Sequence, residues 1–285
     1  LHKYGIKFFI VLRGLLEPVL VLVARFYPVL GYPVELFGLF NGFIGFSYWI
    51  SMDAITLKST DNGSRGSQQS SIYAWMWVSI ILAPFIGGTI IKQFSYPVLF
   101  IVSLLFILAG GIVSLFMNLD VEIKKKYNLF PKLNQEISKH MYIIFFRGLS
   151  FAYAVWFFSL IVYNFVNDEF LVGSFGLILG IVSLVATIIS GKLIDKLNKK
   201  KLMIFLIIGL SISWILLGLN MNTSLVYIML FVTYFFFQGI NLPINTLFFN
   251  DVEKLDAVTL ISERMMVFII GGIVGLIPLF FLGYQ

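Results

Sequence analysis

Four polar residues stand at i, i+4, i+7 and i+11 inside one otherwise apolar run: Tyr234, Gln238, Asn241 and Asn245. At about 100° per residue they form one stripe roughly 60° wide along a helix. Hydroxyl and amide groups in this pattern do hydrogen-bonding chemistry: they hold a polar solute, or they tie helices together. Facing lipid they would be costly, so the stripe must face protein or water. Pro243 lies within it and frees a backbone carbonyl near Gly239. A second constellation is Arg13 and Glu17, at i, i+4 in another apolar run, with Pro18 following. The two can pair, which lowers the cost of burying each. A carboxylate so placed is either a proton-exchanging group or half of a structural ion pair. Asp53 is the other carboxylate within an apolar run, near its end and within reach of Lys58 or Arg65. Asn41 and Tyr48, at i, i+7, and the deep aromatics Tyr153 and Trp156 add hydrogen-bonding or aromatic surface on two further runs.

The elements that position these groups follow from composition. Of 285 residues, 59% are hydrophobic and only 12% charged, against about 25% charged in a soluble domain. This composition is that of a polytopic membrane protein. Apolar runs of spanning length can be drawn at 6–26, 34–57, 72–92, 96–117, 141–165, 172–194, 202–220, 225–249 and 263–284. About 20 residues cross a bilayer as a helix. Lipid leaves exposed backbone groups unsatisfied, so all nine runs are expected to be helices. The chain has no cysteine, and its two histidines, His2 and His140, fall at run edges. A disulfide framework and a thiolate or histidine-rich metal centre are thereby excluded, and nothing implies a cofactor. The net charge of +6 comes from lysines in short turns between apolar runs, which is not a nucleic-acid signature.

Positive charge collects on the cytoplasmic side of membrane proteins. Threading the runs alternately puts 16 of the 20 lysines and arginines on one side and two, Arg25 and Lys92, on the other, with Arg13 and Arg147 inside runs. Lys58, Arg65, Lys254 and Arg264 are counted among the cytoplasmic turns. The amino end is therefore expected in the cytoplasm. The longest turn, 118–140, is charged and reads as a cytoplasmic linker between residues 1–117 and 141–285. A repeat matches this division. Asn41-Gly42 is followed 24 residues later by Arg65-Gly66, and Gln238-Gly239 is followed 24 residues later by Ser262-Glu263.

The turn Gly191-Lys-Leu-Ile-Asp195-Lys196-Leu-Asn-Lys-Lys200 carries a further signal. It resembles the loop signature of the major facilitator superfamily, with Asn198 where that family usually has Gly. Asn tolerates the same left-handed backbone. Ala83-Pro84-Phe85-Ile86-Gly87-Gly88 is similar to a stretch of the family's fifth helix seen mainly in drug and proton antiporters. It fits equally a kinked helix with small-residue packing, and it does not fix the direction of movement.

The resemblance implies an all-α membrane protein of two pseudo-repeated bundles, with the chain running from the family's third to its eleventh helix. It implies a secondary transporter of a small solute, proton-coupled, with drug or metabolite efflux among its activities. The expected surroundings are a small-molecule substrate, a coupling proton and the lipid of a cytoplasmic (inner) membrane, without nucleic acid, for a monomer. Asn41, Tyr48, Tyr153, Trp156, Tyr234, Gln238, Asn241 and Asn245 become candidate cavity residues. Such a chamber, aromatic and rich in amides, suits neutral or weakly charged solutes. Arg13, Glu17 and Asp53 are the coupling candidates. Gly191, Asp195, Lys196 and Arg65 form the expected cytoplasmic gate, with Asp195 docking near the start of the third run, around Arg65–Ser71. Two other classes stay open: a lipid-acting membrane enzyme and a non-transporting receptor of the same fold. The acidic cluster an enzyme would use, Asp251, Glu253 and Asp256, has no histidine beside it in sequence.

Overall fold

Residues 5–30, 34–117, 138–151, 168–219, 223–253 and 257–282 are described by a computed structural model of the chain. All regular structure among them is helical, as backbone in lipid requires. The helices are α1 (Gly5–Leu30), α2 (Val34–Lys58), α3 (Arg65–Gln93) and α4 (Tyr96–Leu115), then α5, described over 138–151. They continue with α6 (Glu169–Lys196), α7 (Lys199–Leu219), α8 (Thr223–Gly239), α9 (Asn241–Val252) and α10 (Ala257–Leu282). Among the described residues, five spans are long and apolar enough to cross a membrane, by length and composition alone: α3, α4, the α6 segment from Phe170, α7, and Leu225–Val252, which runs through α8 and α9.

That last span is interrupted at Ile240, where Pro243 has no N–H to offer the Gly239 carbonyl one turn back. Neighbouring bonds carry the ladder past the break: Ile240 N donates to Phe236 O at 3.1 Å and Ile244 N to Ile240 O at 3.3 Å.

The most extensive helix pair is α3 with α6. The two run antiparallel, and glycines on α6 let the backbones touch. A Cβ at Gly173 would stand 2.5 Å from the Pro84 carbonyl oxygen, and one at Gly180 would stand 2.6 Å from Ile81 Cγ1. Pro84 of the antiporter-like stretch thus sits in this seam. Elsewhere α1 packs on α2 and α4, and α8 packs on α6 and α7.

The lysine-rich turns define one end of the molecule, here the basic end. An apolar cluster there joins helices that precede residue 118 to helices that follow 137: Ile6 and Ile10 of α1, Ile50 and Leu57 of α2, Met141 of α5, Phe248 of α9 and Ile261 of α10. At the other end of α2, Phe40, Asn41 and Phe43 are exposed, Phe43 to 57%.

Two boundaries differ from expectation. The third run starts at Arg65 rather than 72, and the ninth at Ala257 rather than 263. Hydropathy stops where the polar residues begin, but these polar turns stay helical because they pack against other helices. Arg65 and Gln69 are fully buried, and Arg264 is 4% exposed. Arg65 and Arg264 are therefore buried helix residues, not residues of solvated turns. Of the linker expected at 118–140, residues 118–137 lie outside the described set and 138–140 belong to α5.

Candidate functional site

The basic end is built around the first turn of α3, whose backbone N–H groups have no intrahelical acceptor. Ser64, at its N-cap, makes no side-chain capping bond. The acceptor comes from α6 instead. Asp195 accepts from Gly66 N at 3.0 Å and from Ser67 N at 2.7 Å, through its two carboxylate oxygens. It is a cap supplied from 128 residues away, at the place the sequence marked. A carboxylate is favoured at this positive end of a helix. Contact this close needs glycine on both helices: a Cβ at Gly66 would lie 1.7 Å from Ile194 Cγ2, and one at Gly191 would lie 2.3 Å from Ser70 Oγ. Lys196 is exposed on the last turn of α6.

Two arginines then cross between the halves of the chain. Arg65 donates to Asn250 Oδ1 at 2.6 Å, to Thr60 Oγ1 and Thr60 O at 3.2 Å each, and pairs with Glu253 at 3.1 Å. It thereby meets the last turn of α9, whose free carbonyls favour a cation. Arg264 of α10 pairs with Asp53 of α2 at 3.5 Å. These contacts are reciprocal. The offset that carries Asn41 onto Gln238 also carries Asp53 onto Asn250. Arg65, the first residue of α3, and Arg264, two turns into α10, thus each reach one of two positions that the repeat relates, although the repeat carries Arg65 itself onto Ser262. Asp53 was expected at Lys58 or Arg65; its partner is Arg264 because α10 starts early enough to bring that guanidinium inward.

A buried polar cluster extends inward from Asp53. Asn245 Oδ1 accepts from Arg147 Nη1 at 3.1 Å and from Arg264 Nη2, and Asn245 Nδ2 donates to the Tyr73 hydroxyl at 3.3 Å. Thr246 donates to Gln69 Oε1 at 3.2 Å. The Arg264 guanidinium lies over the Phe248 ring at 4.8 Å, and that of Arg147 lies over Phe268 at 5.6 Å. Asn245 therefore ties α3, α5, α9 and α10 together.

The rest of its stripe behaves differently. Tyr234 bonds Gln238, and Asn241 Nδ2 donates to Gln238 Oε1 at 2.7 Å. These bonds run along the broken helix rather than between helices. Gln238 is buried, while Tyr234 and Asn241 are partly exposed.

Arg13 and Glu17 form a two-bond ion pair, at 2.7 and 3.0 Å. The Arg13 guanidinium also stacks over Tyr48, 3.8 Å from the ring centre. Glu17 and Asn41 line an open cavity of about 250 Å³ with Leu20, Leu99, Phe100 and Ser103. Arg13, Glu17, Tyr48 and Asn41 are thus brought together among α1, α2 and α4. Tyr153 and Trp156 lie outside the described residues.

Spacing alone does not single out Arg147, Arg264, Tyr73 or Gln69. Arg147 carries the one usable signal, a lone charge in an apolar run. His140 is also closer to acids than its sequence position implies: its Nε2 meets Asp251 Oδ2 at 2.5 Å, across 111 residues. The acidic cluster thus has a histidine beside Asp251, contrary to expectation. Asp251 is engaged by His140 and Glu253 by Arg65, and no group of three metal-ligating side chains occurs among the described residues.

An all-helical membrane protein, with polar contacts crossing between its halves at one end and a glycine seam between α3 and α6, is the class these features define. The chain belongs to the Major Facilitator Superfamily, whose family model matches residues 3–276. Members of that family are membrane transporters rather than enzymes. No curated protein matches the chain.

Proposed function

We propose that the chain is a secondary transporter that moves a small solute by alternating access and couples the movement to protons. The reciprocal crossing of Arg65 and Arg264 between the two halves of the chain carries this reading. Rocking requires two bodies held by contacts that can break and re-form. At the basic end those contacts are hydrogen bonds and ion pairs over a small apolar cluster, whereas toward the other end of α2 Phe40, Asn41 and Phe43 are exposed. The basic end faces the cytoplasm of a cytoplasmic membrane, following the lysine bias. The polar face of α8 and α9, with Tyr234, Gln238, Asn241 and Asn245, lines the path. Protonation of Asp53 removes the carboxylate that holds Arg264 and so weakens the closed basic end; Glu17 is the second proton-exchanging candidate.

The Asp195 cap tests the gate. Asp195→Ala removes both bonds to α3, and losing such a cap costs about 0.5–2 kcal/mol. In an equilibrium between two states this shifts their ratio roughly two- to thirtyfold. Cysteines placed along α9 should then become more accessible from the basic side, with Asp195→Asn showing a smaller change. Unchanged accessibility on both sides in both variants means that Asp195 is no latch.

A further inference from the structure

We infer that Arg147 and Arg264 form the binding site for the oxyanion group, a carboxylate or a phosphate, of the small solute. The inference rests on the transporter reading and names its substrate class. Two guanidinium groups share the single oxygen Asn245 Oδ1, and the one carboxylate paired with either of them among the described residues is Asp53. Two arginines against one aspartate leave one positive charge uncompensated. Asp53 stands 3.5 Å from Arg264, beyond the roughly 2.7–2.9 Å of a full charge-assisted bond.

Donor supply points the same way. Each guanidinium has five N–H donors, yet the pair makes three hydrogen bonds, to two oxygens, among the described residues. The Tyr73 hydroxyl accepts from Asn245 and keeps its own proton to give. One turn away on α3, the fully buried Gln69 has an orphan donor: its Nε2 has no partner. A buried group of donors this rich in positive charge lacks an acceptor, and a planar oxyanion suits the fork of an arginine. Arg147 is half-buried. The aromatic and amide lining expected for a neutral solute therefore ends on a cationic floor. Phe248 and Phe268, against the two arginines, add apolar walls. An anion arriving at Arg264 also competes with Asp53, which links solute binding to the group proposed for protons.

The test uses the full-length protein in nanodiscs of zwitterionic lipid, with Tm followed at constant ionic strength. Sodium benzoate and inorganic phosphate are titrated separately, with glucose as a neutral control. A saturable rise in Tm is expected with at least one anion and none with glucose. Arg147→Gln should weaken the anion roughly tenfold or more, the scale of one lost bond to a charged group. Arg147→Lys should recover part of it, keeping charge without the fork. Should Arg147→Gln fail to fold, Tyr73→Phe replaces it, with a several-fold loss expected. The absence of a saturable anion effect in the wild type, or equal anion affinity in every variant that folds, overturns the site. Labelling of Asn241→Cys from both sides of the membrane reads alternating access independently of any anion. A failed titration beside intact labelling sinks the anion site alone; failure of both sinks the transporter reading with it.

Discussion

Asp53→Asn is expected to destabilise the closed basic end by about 3–5 kcal/mol, the usual cost of taking one partner from a buried ion pair. Asp53 and Arg264 are 4% exposed each, and Arg147 stands in the same cluster. Without the carboxylate, two guanidinium groups remain inside the protein with an amide oxygen between them. Conformational states of such proteins differ by only a few kcal/mol, so a change of this size inverts their populations. A cysteine at Ala54, buried beside Asp53, should become reactive from the basic side in Asp53→Asn and stay protected in its absence. Replacing both partners, as Asp53→Ala with Arg264→Met, should recover much of the protection, because no unpaired partner is left behind. Reactivity at Ala54→Cys that Asp53→Asn leaves unchanged means that the pair does not hold the end closed.

The second large effect is steric. Gly66→Ala puts a methyl group 1.7 Å from Ile194 Cγ2 and 2.7 Å from Asp195 Oδ1, so α3 and α6 must separate at the basic end. Overpacking costs about 1–3 kcal/mol, and separation also breaks the Asp195 cap. Gly173→Ala works at the other end of the same seam, where its Cβ would stand 2.5 Å from the Pro84 carbonyl oxygen. The two variants should shift accessibility in opposite directions. Gly66→Ala raises labelling from the basic side, and Gly173→Ala raises it from the far side. A shift of the same sign in both contradicts a seam that opens at either end.

The spanning helices were legible because they depend on local chemistry, and the Asp195 contact because a resemblance implied it. Apolar runs of spanning length must be helical in lipid, and the Gly191–Asp195 turn resembles a known loop. The Pro243 break was legible for the same reason, since a missing N–H is a property of one residue. Arg65 and Arg264 were not. Their turns read as solvated by hydropathy, and only packing against helices from the other half of the chain keeps them helical and buried. The pairing of Asp53 with Arg264 spans 211 residues, a separation on which no periodicity bears. Tyr73 and Gln69 stayed hidden in the same way: a tyrosine and a glutamine beside a helix start look like surface until the partner helix covers them. The stripe on the eighth run was legible as a stripe, but its division was not. Asn245 turns toward three other helices, while Gln238 and Asn241 satisfy each other.

Alternating access requires that the polar face of α8 and α9 meet water from both sides in turn. The chain has no cysteine, so Asn241→Cys in the full-length protein gives one reactive position. Cells and inverted vesicles are treated separately with a membrane-impermeant thiol reagent. Labelling from each side, with the basic-side signal raised by Asp195→Ala, is the expected result. No labelling from either side would make the stripe sealed packing and contradict the alternating cavity.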